Sequence, residues 1–321
     1  MVKIYTNADN SMVLLLAVLV SMMCGIFFSA RTLILEPFLL VWLAILLFLN
    51  LIRLDLSDLK ADFVKPKRII ILSTLKLLII PVCTYQVTQL IYPQESLSVL
   101  LLSGISTGLG SPFVVNLVGG RLQTVVAMIT ITSLAVPVVL PLLVYLFFKT
   151  EFSIPFPNMV LILSAGLLVP LASCWATKRY LPRVSRLIER RSFPISLIAI
   201  ISINLGLFAK FSNYFFQDPP FVIGTSLLAF ALFGVYGLLG YASDAIFIND
   251  HRCTETEKKH NRLSAFISMS YVNNILVAIF AQQFFGSHVA ALAAFYNIPY
   301  YIGIPILVRW VGGGSLDYVK K

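Results

Sequence analysis

Gly104-Ile-Ser106-Thr107-Gly108-Leu-Gly110-Ser111-Pro112 lies in the middle of an apolar run, 97–118, and its reading decides the fold. Glycine, serine and proline at this density do not hold a regular helix in hydrocarbon. Proline offers no amide proton and its ring collides with the preceding turn, and each glycine costs ~1 kcal/mol against alanine. Irregular backbone at membrane depth is tolerated only where protein buries it or it lines a wet cavity. The stretch therefore predicts two half-helices meeting inside one membrane crossing, the second starting near Ser111. The N-terminus of such a half-helix presents free amide protons and the positive end of the helix dipole, which favour an anion. A kinked helix packed closely through small residues is the competing reading.

The rest of the chain supplies further crossings. Hydrophobic residues make up 59% of the 321 positions and charged residues 12%, and the mean hydropathy is +0.91. These values fit a polytopic membrane protein rather than a soluble domain. Apolar segments of about 20 residues, enough for ~30 Å of hydrocarbon, fall at 12–30, 33–52, 69–91, 97–118, 122–147, 157–177, 193–213, 220–243, 263–284 and 287–309. The expected fold is thus an all-α polytopic membrane protein with ten transmembrane helices. No small-residue cleavage site clearly follows the polar start Met1 to Asn10, so the first segment is expected to stay as an uncleaved span. The connections 178–192 and 244–262 are charged and short, and neither is a domain.

The net charge of +10 is unevenly placed. With the N-terminus inside, that side holds 20 of the 24 Lys and Arg: Lys3, five between Arg53 and Arg68, Arg121, six between Lys178 and Arg191, four between Arg252 and Arg262, and Arg309, Lys320 and Lys321. The other face holds Arg31, Lys149 and Lys210. This asymmetry orients both termini to the cytoplasm of a cell (inner) membrane. It reads as topology and contact with anionic lipid, so nucleic acid is not an expected partner. Cys24, Cys83, Cys174 and Cys253 show no metal-ligand or disulfide spacing. No zinc motif or Ser-Lys pair marks an intramembrane enzyme, and no cofactor or metal is expected.

The ninth segment carries a second polar interruption, Ser264-Ala-Phe-Ile-Ser268-Met-Ser270-Tyr271-Val-Asn273-Asn274, and the tenth adds Tyr296-Asn297-Ile-Pro299-Tyr300-Tyr301. Asparagine offers donors and acceptors and caps half-helices; hydrogen bonding between neighbouring helices is its blander role. A shift of 162 residues carries Ser111-Pro112 onto Asn273-Asn274 and Pro137 onto Pro299. Five segments per half is an odd number, so the second half enters from the opposite side: an inverted 5+5 repeat, a common plan among secondary transporters. Asn204 in the seventh segment either lines a cavity or bonds a neighbouring helix. Asp244 reads as a solvated helix end, or as a gate partner for a basic residue. Glu36 and His288 read as solvated groups near the far face.

Lys76 is the Lys or Arg that fits neither loop nor membrane edge. It stands eight residues past Arg68, ~12 Å deep at 1.5 Å per residue, inside Ile69-Ile-Ile-Leu-Ser-Thr-Leu-Lys76-Leu-Leu-Ile-Ile-Pro81. A charge at that depth marks a substrate or ion pathway by default; snorkelling back to the interface is the alternative.

These features together resemble the bile acid:sodium symporter family. Leu54-Asp-Leu-Ser-Asp58-Leu-Lys60-Ala-Asp62-Phe63 through Lys65-Pro66-Lys67 is similar to that family's connection after the second helix. The break at 106–112, the Asn273 motif and Asn297 fall where the family has its discontinuous helices 4 and 9, which cross, and a tenth-helix asparagine. The resemblance implies panel helices 1–2 over 1–66, core helices 3–5 over 67–150, panel helices 6–7 over 151–215 and core helices 8–10 over 216–321. It also implies alternating access at the crossing.

The departures concern sodium. The family's glutamate ligand, about five residues before Asn273, is Ser268 here. The asparagine after the fourth-helix serine is Pro112, and the third-helix glutamine is Lys76. Thr124, Thr130 and Thr132 lie near the fifth-helix hydroxyl ligands but out of phase. An ammonium ~4 Å from a sodium ion repels it by ~4 kcal/mol at an effective dielectric of about 20. The expectation is a sodium-independent carrier of a small organic anion in which Lys76 is a tethered cation. A lysine held out of water can also load and release a proton, so transport is expected to be facilitated, exchange or proton-coupled, with sodium the less expected partner. Thr107, Ser111, Asn273, Asn274 and Asn297 are the expected substrate ligands; Lys76, Ser106 and Ser268 form the altered ion site. A sodium-coupled organic anion symporter and a non-transporting membrane receptor are the alternatives, and monomer or homodimer stays open.

Overall fold

The computed structural model describes residues 8–52, 66–108, 110–149, 155–248 and 254–312. Among these the backbone is helical apart from short connections and one isolated antiparallel bridge. Among the described residues seven helices are long and apolar enough to cross a membrane, and two shorter apolar ones cover Leu15–Phe27 and Asn274–Phe285. The outer surface is apolar: Leu90, Ile91 and Ile34 are 85%, 78% and 74% exposed. Such a surface suits hydrocarbon and not water.

In chain order the described helices of seven residues or more are α1 (Ala8–Phe27), α2 (Leu39–Ile52), α3 (Pro66–Thr74), α4 (Ile80–Ile91), α5 (Ser96–Ser103), α6 (Ser111–Leu117), α7 (Leu122–Phe148), α8 (Phe156–Tyr180), α9 (Pro182–Gln217), α10 (Pro219–Phe247), α11 (Glu255–Ser270), α12 (Asn274–Phe285), α13 (Ser287–Phe295) and α14 (Asn297–Gly312). One layer packs α9 against α1 and α2, and α2 against α8. Small residues allow this: a Cβ on Gly25 of α1 would stand 2.9 Å from the Leu205 carbonyl of α9. The other layer joins α10 to α11, α12 to α13, and α7 to α3 and α11.

α3 and α4 are one rod joined by a π-helical turn, Leu75–Ile79. The cause is Pro81, which donates no amide hydrogen bond and whose ring would strike the carbonyl four residues back. Widening the helix by one residue relieves both, as π-bulges do. The turn holds Lys76 inside the protein at 1% exposure, so the side chain does not snorkel.

Two connections differ from the sequence reading. The run 178–192 is helical, shared between the end of α8 and the start of α9 with Leu181 alone between them. Its arginines, leucines and glutamate are good helix formers, and charge on an exposed face does not oppose a helix. In the second connection, Thr254 and Glu257 form a reciprocal capping box that starts α11 well before the apolar run.

Candidate functional site

The two polar interruptions meet. α5 ends at Ser103 and α11 at Ser270. Beyond each end the chain leaves the helix, and Thr107 pairs with Val272 in an antiparallel bridge. The Gly108 amide donates to the Tyr271 carbonyl at 2.7 Å, and the Asn273 amide donates to the Ser106 carbonyl at 3.0 Å. Each break thereby satisfies backbone groups that the other leaves open, which membrane depth demands. Gly108 makes the approach possible: a Cβ there would stand 2.6 Å from the Val272 carbonyl oxygen.

A helix C-terminus leaves four carbonyls without partners and carries the negative end of the dipole. At α11 these carbonyls are taken one by one. The Thr107 hydroxyl donates to Ser268 O at 2.8 Å. Lys76 Nζ donates to Met269 O at 3.1 Å. The Tyr296 hydroxyl donates to Ser270 O at 2.7 Å, and Tyr271 O receives the Gly108 amide. Lys76 is therefore a side-chain cap of a half-helix, reached from the π-turn. Its Nζ also lies 5.5 Å from the ring centroid of Tyr236 on α10, the geometry of a cation–π contact. α7 adds Thr132, whose hydroxyl accepts from the Thr107 amide at 3.1 Å and donates to Met128 O at 2.6 Å.

The expected site residues divide into groups. Lys76 and Thr107 converge on the end of α11. Ser268 contributes its carbonyl there, while its hydroxyl donates back to Ser264 O. The Ser111 hydroxyl donates to Gly108 O and is occupied locally. Ser106 Oγ and Asn273 Nδ2 are buried, flank the bridge and make no hydrogen bond within the protein, as is also true of the Tyr236 and Tyr271 hydroxyls. Asn274 Nδ2 donates to Ala293 O at 3.0 Å and to Asn297 Oδ1 at 2.8 Å. Asn297 Nδ2 then reaches Asn204 Oδ1 at 3.4 Å. Asn204 thus bonds a neighbouring helix, and three asparagines link α12 and α14 to α9. Tyr296 and the Met269 carbonyl were not visible as site groups in the sequence. Thr132 looked out of phase because the bridge, not a helix face, sets what it meets.

Charges at the two ends are held rather than solvated. Asp244 is paired with Arg68 at 2.5 Å, and Arg68 also donates to Asn261 O at 2.8 Å. That ties α3 to α10 and α11. Glu36 pairs with Lys210. At the opposite end Glu95, in the turn between α4 and α5, has a side chain 1% exposed and 3.9 Å from His288, whose ring packs on Phe221 at 4.7 Å. Burial pushes the Glu95 carboxyl above its usual 4.5, with Ser98 and His288 pulling the other way. Because ionised Glu95 is disfavoured in the fold, its contribution weakens stability as pH rises above about 4.5, where the unfolded chain already ionises. Glu95→Gln is expected to raise Tm at neutral pH and to flatten the decline between acid and neutral conditions. Thermal unfolding across that range checks it; a variant no more stable than wild type at neutral pH contradicts the assignment.

Long apolar helices around two broken ones whose breaks pair in the interior define a multi-pass membrane protein built like a solute carrier. Residues 40–217 match the model of the Sodium Bile acid symporter family. The match covers more than half of the chain, and the protein belongs to that family of membrane transporters. No curated protein matches the chain.

Proposed function

We propose that this protein is a secondary transporter of a small organic anion that runs without sodium, with the Lys76 ammonium in the place where relatives hold a sodium ion. The observation that carries this is the buried Lys76 Nζ bonded to Met269 O at the end of α11. A cation site built on a helix C-terminus needs a positive charge there, and a covalently attached one excludes a mobile one.

The architecture that goes with this reading is ten crossings in an inverted 5+5 repeat. The pairs α5–α6 and α11–α12 are the discontinuous crossing helices 4 and 9. The panel comprises 1–66 and 151–215, and the core 67–150 and 216–321. Both termini are cytoplasmic. Ser106 and Asn273 meet the solute's acidic group at the bridge, beside Thr107 and Ser111. Asn274 and Asn297 transmit its position to Asn204, so that the core moves against the panel when the solute is bound. With sodium displaced, a proton or a second anion is the coupling partner.

The test is exchange of small carboxylates and sulfonates in proteoliposomes, with sodium replaced by choline at equal ionic strength. Uptake that persists unchanged in choline is expected. Uptake that needs an inward sodium gradient overturns the reading.

A further inference from the structure

α9 is longer than a crossing requires. Its 36 residues span ~54 Å at 1.5 Å per residue, against ~30 Å of hydrocarbon. The first ten residues carry Arg183, Arg186, Arg190 and Arg191, with Glu189 the lone acid. At 100° per residue Arg183, Arg186 and Arg190 fall within about 60° of one another, all exposed. Ser185 and Ser192, at 7% and 1% exposure, mark the buried side. Among the described residues no acid pairs with Arg183, Arg186 or Arg190.

The neighbours of these arginines set the surface apart from a simple solvated charge patch. Leu187 and Val184 share the exposed arc, and Trp175 and Tyr180 at the end of α8 form an edge-to-face pair at 6.0 Å. Leu187, Trp175 and Tyr180 are each more than half exposed. Water would not favour four exposed large apolar side chains at one helix junction, whereas a headgroup boundary favours aromatic residues and arginine. Guanidinium groups match phosphate oxygens in a planar, two-pronged geometry. A lipid offers both halves at once: a phosphate for the arginines and acyl chains for Leu187, Val184 and Trp175.

We infer that the α8–α9 junction is a binding site for an anionic phospholipid, seated with its phosphate on Arg183, Arg186 and Arg190. The site depends on where these side chains stand and not on what the protein carries or on its coupling ion.

The test uses the full-length protein in detergent, titrated with phosphatidylglycerol or with phosphatidylcholine of the same acyl chains. Tm and lipid retention in native mass spectrometry are the readouts. Phosphatidylglycerol is expected to raise Tm and to be retained roughly tenfold more strongly than phosphatidylcholine. A triple variant R183Q/R186Q/R190Q loses that preference while keeping its Tm in phosphatidylcholine; R183K/R186K/R190K retains part of it. L187S lowers retention of the lipid. Equal retention of the two lipids overturns the inference, as does a preference that survives the triple Gln change. Stabilisation by inorganic phosphate or glycerol phosphate equal to that by the lipid overturns it in favour of a free-anion site. A protein partner on this surface would show as retained polypeptide with no lipid preference, and would also overturn it.

Discussion

Purified Lys76→Gln protein is expected to gain thermal stability from sodium that the wild type does not gain, when sodium and choline chloride are compared at equal ionic strength. Two effects compete at this position. The lysine caps α11 by donating to Met269 O, and a charged donor on a carbonyl contributes ~1.5–3 kcal/mol. Against that, an ammonium at 1% exposure carries a desolvation cost of several kcal/mol. Glutamine keeps an N–H donor and removes the charge. The end of α11 then holds carbonyl oxygens and a dipole with no cation, which a hard ion with oxygen preference can fill. Lys76→Met separates the terms: it removes donor and charge together, so Met269 O is left unpaired at ~1–3 kcal/mol while the desolvation cost disappears. The Met variant is expected to lie within about 2 kcal/mol of wild type in stability. A wild type that sodium itself stabilises, or a Gln variant indifferent to sodium, rejects the tethered-cation idea.

That lysine was conspicuous in the sequence for reasons the structure explains only in part. Its depth could be counted from Arg68, and a charge at that depth has few structural uses. What it touches could not be counted, because its reach depends on a π-turn that Pro81 imposes and on the register between segments nearly two hundred residues apart. The same holds for the breaks. Glycine and proline at 104–112 announce a local failure of helix, since composition alone controls it. The pairing of Thr107 with Val272 is a tertiary fact, and so is the role of Thr132. Asp244 ends an apolar run, which left open whether it is a solvated helix end or a partner for a basic residue; Arg68 lies in another segment, and only packing brings them to 2.5 Å. The helix over 178–192 was missed for a different reason: a membrane reading takes charge as the end of a span, although charge ends only the hydrocarbon crossing and not the helix.

Gly108→Ala is expected to be among the most damaging small substitutions in the chain. An added Cβ would stand 2.6 Å from Val272 O, 2.8 Å from Val272 C and 3.0 Å from Tyr271 O. All three are backbone atoms, so no side-chain rotation relieves the contact. The strands of the bridge must part, which strains or breaks the Gly108-to-Tyr271 and Asn273-to-Ser106 hydrogen bonds and displaces Thr107 from Ser268 O. Overpacking costs ~1–3 kcal/mol, and each bond lost in a buried setting adds ~1 kcal/mol or more, so a loss of about 3–5 kcal/mol follows. Gly224 in α10 supplies the control. A Cβ there meets nothing within 4 Å, and Gly→Ala in a helix interior gains up to ~1 kcal/mol. Thermal unfolding should therefore move in opposite directions for the two variants. Hydrogen exchange at the Gly108 and Asn273 amides separates the cause: in Gly108→Ala, the Asn273 amide should exchange faster while amides in the middle of α9 stay protected. If Gly108→Ala unfolds at the wild-type temperature, the two breaks do not meet at this distance and the bridge is not what holds the crossing together.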